Sequence, residues 1–178
     1  TITTGQLSVV GVEIKGDASR VWRIVSALEQ TSTHPLAQAL VRAAAEHGAM
    51  TGPADKVLSV AGHGVQGHVD GHPATIGSVA WLGVPEGPLR DAANSAEKAG
   101  HSVVVVYDDA RAVAVIALAD AVDDESVAAI EKLRSMGIEP IIVSGDHQAA
   151  VDSVAQAVGI AEVHAACSPQ EKLDLVTQ

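Results

Sequence analysis

A run of three closely spaced glycines at residues 62–67 constrains this chain more than any other segment. Its spacing fits G-x-G-x-x-G, which in a dinucleotide-binding unit needs a strand before the glycines and a helix opening on the third. Residues 57–60 supply an apolar strand, but Asp70-Gly71 is a turn signal, and Pro73 resists a helix because it lacks a backbone donor. We therefore predict an antiparallel hairpin, in which glycine lets a bound nucleotide approach the backbone without a Cβ clash.

The same glycine run also fits the phosphate-covering loop of protein kinases, G-x-G-x-x-G-x-V, with Val69 at its last position. A hairpin over phosphates has the right shape for that role. The chain contains no V-A-I-K lysine, no H-R-D segment and no D-F-G segment, all of which kinase chemistry requires. The sequence therefore excludes a protein kinase.

The charge balance limits the partners that the chain can take. Its 178 residues include 22 Asp and Glu against 11 Lys and Arg, so the formal net charge is −11. An acidic chain does not suit the backbone of a nucleic acid, whereas a small anion still binds through local N–H groups and a few cations. We therefore expect no nucleic-acid partner.

Rare residue types narrow the chemistry further. The single cysteine, Cys167, excludes an internal disulfide and a cysteine-rich metal site. Phe is absent, and the aromatic residues are Trp22, Trp81 and Tyr107, so stacking a base on an aromatic ring is not an obvious option. Charged side chains interrupt the most apolar stretch, residues 103–119, and a membrane span needs about 20 mostly apolar residues. We expect no direct contact of this chain with a membrane.

Hydrophobic periodicity and turn residues predict an α+β domain over residues 1–118, with an antiparallel sheet flanked by helices. Strands are expected at residues 6–14, 57–60, 74–76, 102–107 and 112–118. Helices are expected at residues 19–29, from Pro35 to Gly48, and at residues 88–99.

The pattern changes after Leu118. Helices expected at residues 120–136, 147–158 and 169–176 alternate with short strands expected at residues 138–143 and 163–165. This alternation is typical of a doubly wound parallel sheet, and it is too short to close such a sheet by itself. We therefore place a second, partial α/β domain at residues 119–178.

Two segments of the second domain carry candidate phosphate chemistry. Ser144-Gly145-Asp146 follows a buried strand, and ligands of open α/β sheets bind at the carboxyl ends of strands. A hydroxyl, a glycine and a helix N-terminus suit a phosphoryl group, although a capped strand-to-helix turn explains the same residues. Lys172, in the first turn of the last helix, is either a phosphate-neutralising cation or a solvated lysine.

Histidines and one acid form a further set of candidates in the first domain. His34, at a helix start, either serves the structure or donates to a ligand, and Glu29 alone is typical of a solvated acid. His63, His68 and His72 fall within ten residues, but no carboxylate or thiolate joins them at a metal-ligand spacing. We predict that the chain has no metal-ligating residues of its own.

Four segments occur together in a specific order and spacing. They are Thr33-His34-Pro35-Leu36-Ala37, Gly62-x-Gly64-Val65-x-Gly67, Ile76-Gly77-Ser78-x-x-Trp81-Leu82, and Ser144-Gly145-Asp146 with Pro169-x-x-Lys172. Jointly they resemble the cytoplasmic loop of the heavy-metal-transporting P-type ATPases, over nearly the whole chain. The first residues, Thr1-Ile2-Thr3, match the end of the family's D-K-T-G-T-I-T phosphorylation motif.

The resemblance implies a fold and a set of site residues. In that family an α+β ATP-binding domain precedes a haloacid-dehalogenase-like phosphorylation domain, of which residues 119–178 would be a part. In the second part Ser144 would take the hydroxyl role, Asp146 would lie nearby, and Lys172 would balance the charge of the phosphate. By motif match the ATP-binding residues would be Glu29, His34, Gly62, Gly64, Val65, Gly77 and Ser78.

The resemblance also implies a function. The full protein would export a heavy metal, with copper favoured and zinc, cadmium and cobalt as alternatives, by transferring a phosphoryl group from ATP to an Asp with the help of magnesium. That Asp would lie four residues before Thr1, and the magnesium-binding G-D-G-x-N-D segment would follow Gln178. The chain is therefore expected to bind ATP without hydrolysing it. Ser78 stands where many relatives have Asn, which affects one adenosine contact.

The expected partners are ATP and the remaining domains of the pump in cis, and the expected location is the cytoplasmic side of an integral membrane protein. Two other functions stay open. A free-standing haloacid-dehalogenase-like phosphatase with a cap domain requires a complete D-x-D-x-T motif, which this chain lacks. A non-catalytic nucleotide sensor would belong to a parent protein that lacks membrane spans on both sides of this chain.

Overall fold

A six-stranded antiparallel sheet forms the centre of the computed structural model, which describes residues 2–146 and 148–176. The strands are β1 (Thr3–Ile14), β2 (Asp55–Val60), β3 (Gly64–Val69), β4 (His72–Ser78), β5 (Ser102–Asp108) and β6 (Arg111–Val122). Their order across the sheet is β1-β6-β5-β4-β3-β2. From β2 to β6, strands consecutive in the chain are neighbours in the sheet. Short turns connect them except between β4 and β5, where residues 79–101 contain two helices. The predicted antiparallel sheet, including the glycine hairpin of β2 and β3, is confirmed.

Helices cover both faces of this sheet. They are α1 (Ala18–Glu29), α2 (Pro35–Glu46), α3 (Val79–Leu82) and α4 (Pro88–Lys98). Side chains of β5 alternate between the two faces, as strand geometry requires: Val104 and Val106 pack in one buried cluster with α1 and α2, whereas Val105 packs with Leu89 of α4 in another. The central strands of the sheet are thus buried on two sides.

Arg20, in the first turn of α1, attaches this helix to the end of β5 and to the turn between β3 and β4. Its Nε and Nη2 donate to the two carboxylate oxygens of Asp108 at 3.0 and 2.8 Å, and its Nη1 donates to Asp70 at 2.7 Å. The hydrogen bond from Arg20 lowers the pKa of Asp108 below its usual value. Arg23, one turn further along, pairs with Asp70 at 2.8 Å in a more exposed position. These contacts fix the helix whose last residue is Glu29.

The chain divides into two compact units. The larger unit comprises residues 6–97 and 101–119, and the smaller unit comprises residues 2–5, 98–100 and 120–176. The smaller unit contains α5 (Asp124–Ser135), β7 (Ile141–Val143), α6 (Gln148–Val158), β8 (Glu162–His164) and α7 (Pro169–Val176). Strands β7 and β8 pair in parallel, with Ile142 opposite Val163, as the β-α-β pattern predicts.

Several boundaries differ from the sequence-based expectations, and two of these differences have a clear physical reason. The helix expected from residue 120 was wrong at its start, because β6 continues to Val122 and α5 begins only at Asp124. Asp123 defines that start, since its Oδ2 accepts a hydrogen bond from Ser126 N at 3.2 Å. Strand β7 begins at Ile141 rather than at residue 138, directly after a proline that cannot donate to a ladder. The short helix α3 was not anticipated, and the expected helix start at residue 147 lies outside the described residues.

Candidate functional site

A cavity of about 720 Å³ opens in the larger unit between the α1–α2 connection and the sheet. Its wall is formed by the end of α1, the start of α2, the turn between β2 and β3, the end of β4 and the start of β5. The residues that the family resemblance matches to nucleotide binding all line it: Glu29, His34, Gly62, Gly64, Val65, Gly77 and Ser78. The fold thus brings together residues that lie up to 49 positions apart in the chain.

The register of the sheet builds the floor of the cavity. Gly64 lies opposite Gly77 and Val65 lies opposite Ile76, and in the next pair Ser78 lies opposite Val104. Val65, Ile76 and Val104 are buried in the cluster that faces α1 and α2. The floor is therefore apolar, and the polar groups of the site come from its rim.

Two of the glycines are required by close packing around this floor. A Cβ on Gly64 would collide with the carbonyl oxygen of Ile76 and would lie 2.6 Å from the Cα of Gly77. A Cβ on Gly77 would collide with the indole ring of Trp81, whose Cζ3 would lie 2.8 Å away. Strands β3 and β4 therefore approach each other closely where they border the cavity, and only glycine permits this.

His34 occupies the N-cap of α2. Its Nδ1 accepts a hydrogen bond from the backbone N–H of Leu36 at 3.2 Å, and Pro35 provides the first helical position without needing a donor. A ring nitrogen that accepts carries no proton, so the neutral imidazole has its proton on Nε2. The exposed Nε2–H has no partner among residues 2–146 and 148–176, and His34 borders the cavity. The site thus contains one imidazole donor whose ring is fixed by the helix start.

Glu29 is a buried acid at the end of α1. It is only 7% exposed, and its carboxyl has no hydrogen-bond or ion-pair partner within the described part of the chain. Burial raises the pKa of this carboxyl from 4.5 to about 7, because the charged form loses hydration. The sequence-based expectation of a solvated acid, taken from Glu29 alone, was wrong. A buried carboxyl at the wall of a cavity either donates or accepts a hydrogen bond near neutral pH.

Ser78 links the end of β4 to α3. Its backbone N–H donates to the carbonyl oxygen of His63 at 2.9 Å, and its Oγ accepts from the N–H of Trp81 at 3.3 Å, so the hydroxyl caps α3. The O–H proton of Ser78 stays free to donate, since capping uses only a lone pair. Ser78 therefore contributes at most one donor to the cavity.

Several cavity residues were missed by sequence reasoning. They are the hydroxyl residues Thr31, Ser32, Thr33, Ser59 and Ser102, the imidazole of His63, and apolar residues including Leu28 and Leu36. Thr31, Ser32 and Thr33 directly precede the N-cap of α2, and this position could have marked them as candidate cavity residues. Ser102 gives no comparable signal, because only the pairing of β5 with its neighbours places it at the cavity.

The predicted phosphate-handling residues meet in the smaller unit. Ser144 follows β7 directly, its Oγ donates to Oδ2 of Asp146 at 2.8 Å, and its carbonyl oxygen accepts from Cys167 N at 2.9 Å. The Nζ of Lys172 lies 4.0 Å from the position that a Cβ on Gly145 would occupy. The three residues thus form one exposed cluster at the carboxyl end of β7.

The start of α7 fixes the backbone that carries Lys172. Glu171 accepts from both the backbone N–H and the hydroxyl of Ser168 at 2.7 Å, and Ser168 Oγ accepts in turn from Glu171 N at 3.3 Å. This is a reciprocal capping box, and it lowers the pKa of Glu171 through the hydrogen bonds from Ser168. The lysine therefore projects from a defined first helical turn.

The three clustered histidines of the sequence do not converge. His63 stacks on Trp81 with ring centroids 5.7 Å apart, and Nδ1 of His72 lies 3.7 Å from Oδ1 of Asp109. Within residues 2–146 and 148–176, no three His, Cys, Asp or Glu side chains form a group able to hold a metal ion. None of the described helices combines the length and apolar character that crossing a bilayer requires.

Comparisons with known proteins agree on one family. The model of the family described as "Hydrolase: haloacid dehalogenase-like hydrolase" matches residues 1–178. The "Cation-transporting P-type ATPase B" of Mycobacterium tuberculosis is 35% identical over 187 residues, covering 99% of this chain and 24% of the relative. The "Probable copper-transporting ATPase PacS" of Synechococcus elongatus is 34% identical over 184 residues, covering 100% of this chain and 25% of the relative. The chain thus spans about a quarter of the length of the curated relatives it matches.

The solved structures extend this likeness to the fold. A crystal structure of a zinc-transporting PIB-type ATPase in the E2.Pi state superposes with a TM-score of 0.87 at 29% identity, covering 99% of this chain and 29% of that one. A structure of the catalytic domain of the CPx-ATPase CopB-B has a TM-score of 0.65 at 22% identity, and it covers 99% of this chain and 63% of that one. The second likeness is one of fold alone.

Proposed function

We propose that the cavity of the larger unit binds the adenosine part of ATP. The chain belongs to the haloacid dehalogenase-like hydrolases and forms part of a heavy-metal P-type ATPase. One observation carries this proposal: residues from four places along the chain, all matched to the family's ATP site, line the same cavity of about 720 Å³. Small-molecule sites typically have volumes of about 300–1,000 Å³.

Glu29 recognises the adenine base. Adenine presents an amino donor beside a ring-nitrogen acceptor, and a carboxyl with a pKa of about 7 satisfies both groups when it is protonated. The burial of Glu29 favours this use, because a buried polar group without a protein partner gains most from a ligand that pairs with it.

His34 and the glycines position the remainder of the nucleoside. The Nε2–H of His34 donates to an oxygen of the sugar or of a phosphate, since its Nδ1 is occupied by the helix cap. The backbone at Gly62 and Gly64 passes the nucleoside closely, while Gly77 and the hydroxyl of Ser78 border the sugar. The apolar floor at Val65 covers one face of the base in place of an aromatic ring.

The smaller unit takes the role of a partial phosphorylation domain, and the larger unit takes that of the nucleotide-binding domain. Ser144 donates to an oxygen of the transferred phosphoryl group, and the ammonium of Lys172 offsets its charge. Magnesium does not fit the residues present: Asp146 supplies one carboxylate, and the described residues contain no group of three ligands.

The full pump moves a heavy-metal cation, and the names of its relatives point first to copper and then to zinc. Its remaining domains are the partners of this chain in cis, and the chain lies on the cytoplasmic side. The chain holds no D-K-T-G segment, so we expect it to bind ATP without turning it over.

Titration calorimetry of the 178-residue chain with ATP tests the proposal. We expect His34→Asn to weaken binding about tenfold, since Asn still caps α2 but lacks the Nε2–H donor, and one hydrogen bond to a ligand is worth about 1.4 kcal/mol. His72→Asn, an exposed histidine outside the cavity, is the matched control and leaves the affinity unchanged. Absence of ATP binding by the parent chain, or equal affinity of the His34 variant, would contradict the proposed site.

A further inference from the structure

We propose that the ring stack of His63 and Trp81 holds the turn between β2 and β3 against the end of β4 and thereby fixes the wall of the cavity. Both are positioning residues, which act through the backbone of the glycines they hold. The effect of this stack on ATP affinity rests on the proposed function, whereas its effect on the turn does not.

Among the three residues of the turn, 61–63, His63 carries the one side chain larger than a methyl group. In Gly62-His63-Gly64 only His63 carries atoms beyond the backbone, and glycine has the largest conformational freedom to lose on folding. His63 N–H donates to Val60 O at 2.9 Å, which closes the turn itself. That hydrogen bond lies within the turn, so the position of the turn relative to β4 depends on contacts with β4 and α3.

Trp81 supplies this contact from α3. Its ring lies 5.7 Å from the imidazole of His63 at an interplanar angle of 24°, which is a stacked arrangement. The same indole packs on Gly77, at a distance that excludes any Cβ there. Trp81 therefore contacts both the turn between β2 and β3 and the end of β4.

Two hydrogen bonds through Ser78 add to the stacking contact between His63 and Trp81. Ser78 N–H donates to His63 O at 2.9 Å, and Trp81 N–H donates to Ser78 Oγ at 3.3 Å. His63, Ser78 and Trp81 thus contact one another in all three pairs. Displacing the indole would remove the side-chain hold on the turn and leave its backbone contacts with β4, which are the hydrogen bond between His63 and Ser78 and the strand pairing that begins at Gly64 and Gly77.

The larger unit contains a second stack that serves as a control. Trp22 and His47 stack with centroids 4.4 Å apart at 14°, and neither residue lines the cavity. His47→Ala removes a histidine from a tryptophan ring just as His63→Ala does. Comparing His47→Ala with His63→Ala therefore separates a general effect of losing a histidine–tryptophan stack from an effect on the cavity wall.

Amide hydrogen exchange of the 178-residue chain without ligand tests the positioning directly. The amides of His63 and Ser78 report the two hydrogen bonds of the turn. Losing an aromatic pair of this kind raises the equilibrium constant for local opening roughly two- to tenfold. Because amide exchange follows this opening, we expect about fivefold faster exchange at both amides in His63→Ala and Trp81→Leu. Trp81→Phe keeps an aromatic ring, so we expect exchange to stay slow in this variant. His47→Ala is expected to leave the exchange rates of both amides unchanged. Unchanged exchange in His63→Ala and Trp81→Leu would overturn the proposal.

A double-mutant cycle on ATP affinity supplies the second test. We expect each single variant to weaken ATP binding about fivefold, and the double variant to lose no more than Trp81→Leu alone, because both substitutions remove the same stack. Additive losses, or equal losses in His47→Ala, would overturn the link between the stack and the cavity. If the parent chain binds no ATP, the proposed function fails while the exchange experiment still decides whether the stack holds the turn.

Discussion

Glu29 carries a titration that falls within the physiological range, since burial raises the pKa of its carboxyl from 4.5 to about 7. Between these values the folded protein binds more protons than the unfolded chain. The stabilising contribution is therefore complete below pH 4.5 and is lost as the pH rises through 7. The complete shift corresponds to about 3–4 kcal/mol in the free energy of unfolding.

Glu29→Gln tests this link between the pKa of Glu29 and the pH dependence of stability. The variant has no titrating group at this position, so we expect its free energy of unfolding, relative to that of the parent chain, to rise by about 2–3 kcal/mol from pH 5 to pH 8. Urea unfolding followed by tryptophan fluorescence measures it, because Trp22 and Trp81 both lie in the larger unit. Parallel pH profiles of the two proteins would show that Glu29 is not desolvated.

The residues of the candidate site differ in how far the sequence could predict them. Ser144, Lys172 and the glycine run carry local signals, since a buried strand, a helix start or a turn surrounds each of them. Glu29 has no local signal, because its burial depends on α2 and the sheet packing around it, and only the family resemblance selected it. Ser102 was missed for the same physical reason: strand pairing, which is a long-range property, brings it to the cavity.

At the scale of elements, α1 must be held in place for Glu29 to face the cavity, and Arg20 provides the attachment. We expect Arg20→Lys to destabilise the larger unit by about 1–2 kcal/mol at pH 7, because an ammonium cannot form the paired hydrogen bonds to Asp108. Arg23→Lys is the control on the same helix, where an exposed ion pair with Asp70 contributes less than about 1 kcal/mol. Equal urea midpoints for the two variants would contradict this assignment.

The elements that the sequence predicts well are those whose signals are local. The β2–β3–β4 hairpins follow from glycine, Asp70-Gly71 and Pro73, and α2 follows from its proline and its apolar spacing. The start of α5 was misplaced because residues 119–122 suit either a helix or a strand, and their pairing in the sheet decided the outcome. Helix α3 has four residues, too few for a period to be recognised, and the hydroxyl of Ser78 defines its start.

At the scale of the whole molecule, the two units carry different parts of the proposed chemistry, and each offers its own spectroscopic or chemical probe. Both tryptophans lie in the larger unit, and the single cysteine, Cys167, lies in the smaller one, where its Sγ contacts Ala165 O at 3.6 Å. The cavity is lined by residues of the larger unit alone. A ligand of this cavity therefore acts first on the unfolding of that unit.

We expect ATP at about 100 times its dissociation constant to stabilise the tryptophan-reported transition by about 2.7 kcal/mol, since binding to the folded state alone adds RT ln(1 + [L]/Kd). The transition reported by alkylation of the Cys167 thiol should stay unshifted. Urea titrations with both readouts, in the presence of ATP and of an equal concentration of inorganic triphosphate, measure the two effects. A shift with triphosphate equal to that with ATP would show that the phosphates, rather than the adenosine, supply the binding energy. An equal shift in both transitions would place the ligand's influence on the chain as a whole and contradict a site confined to the larger unit.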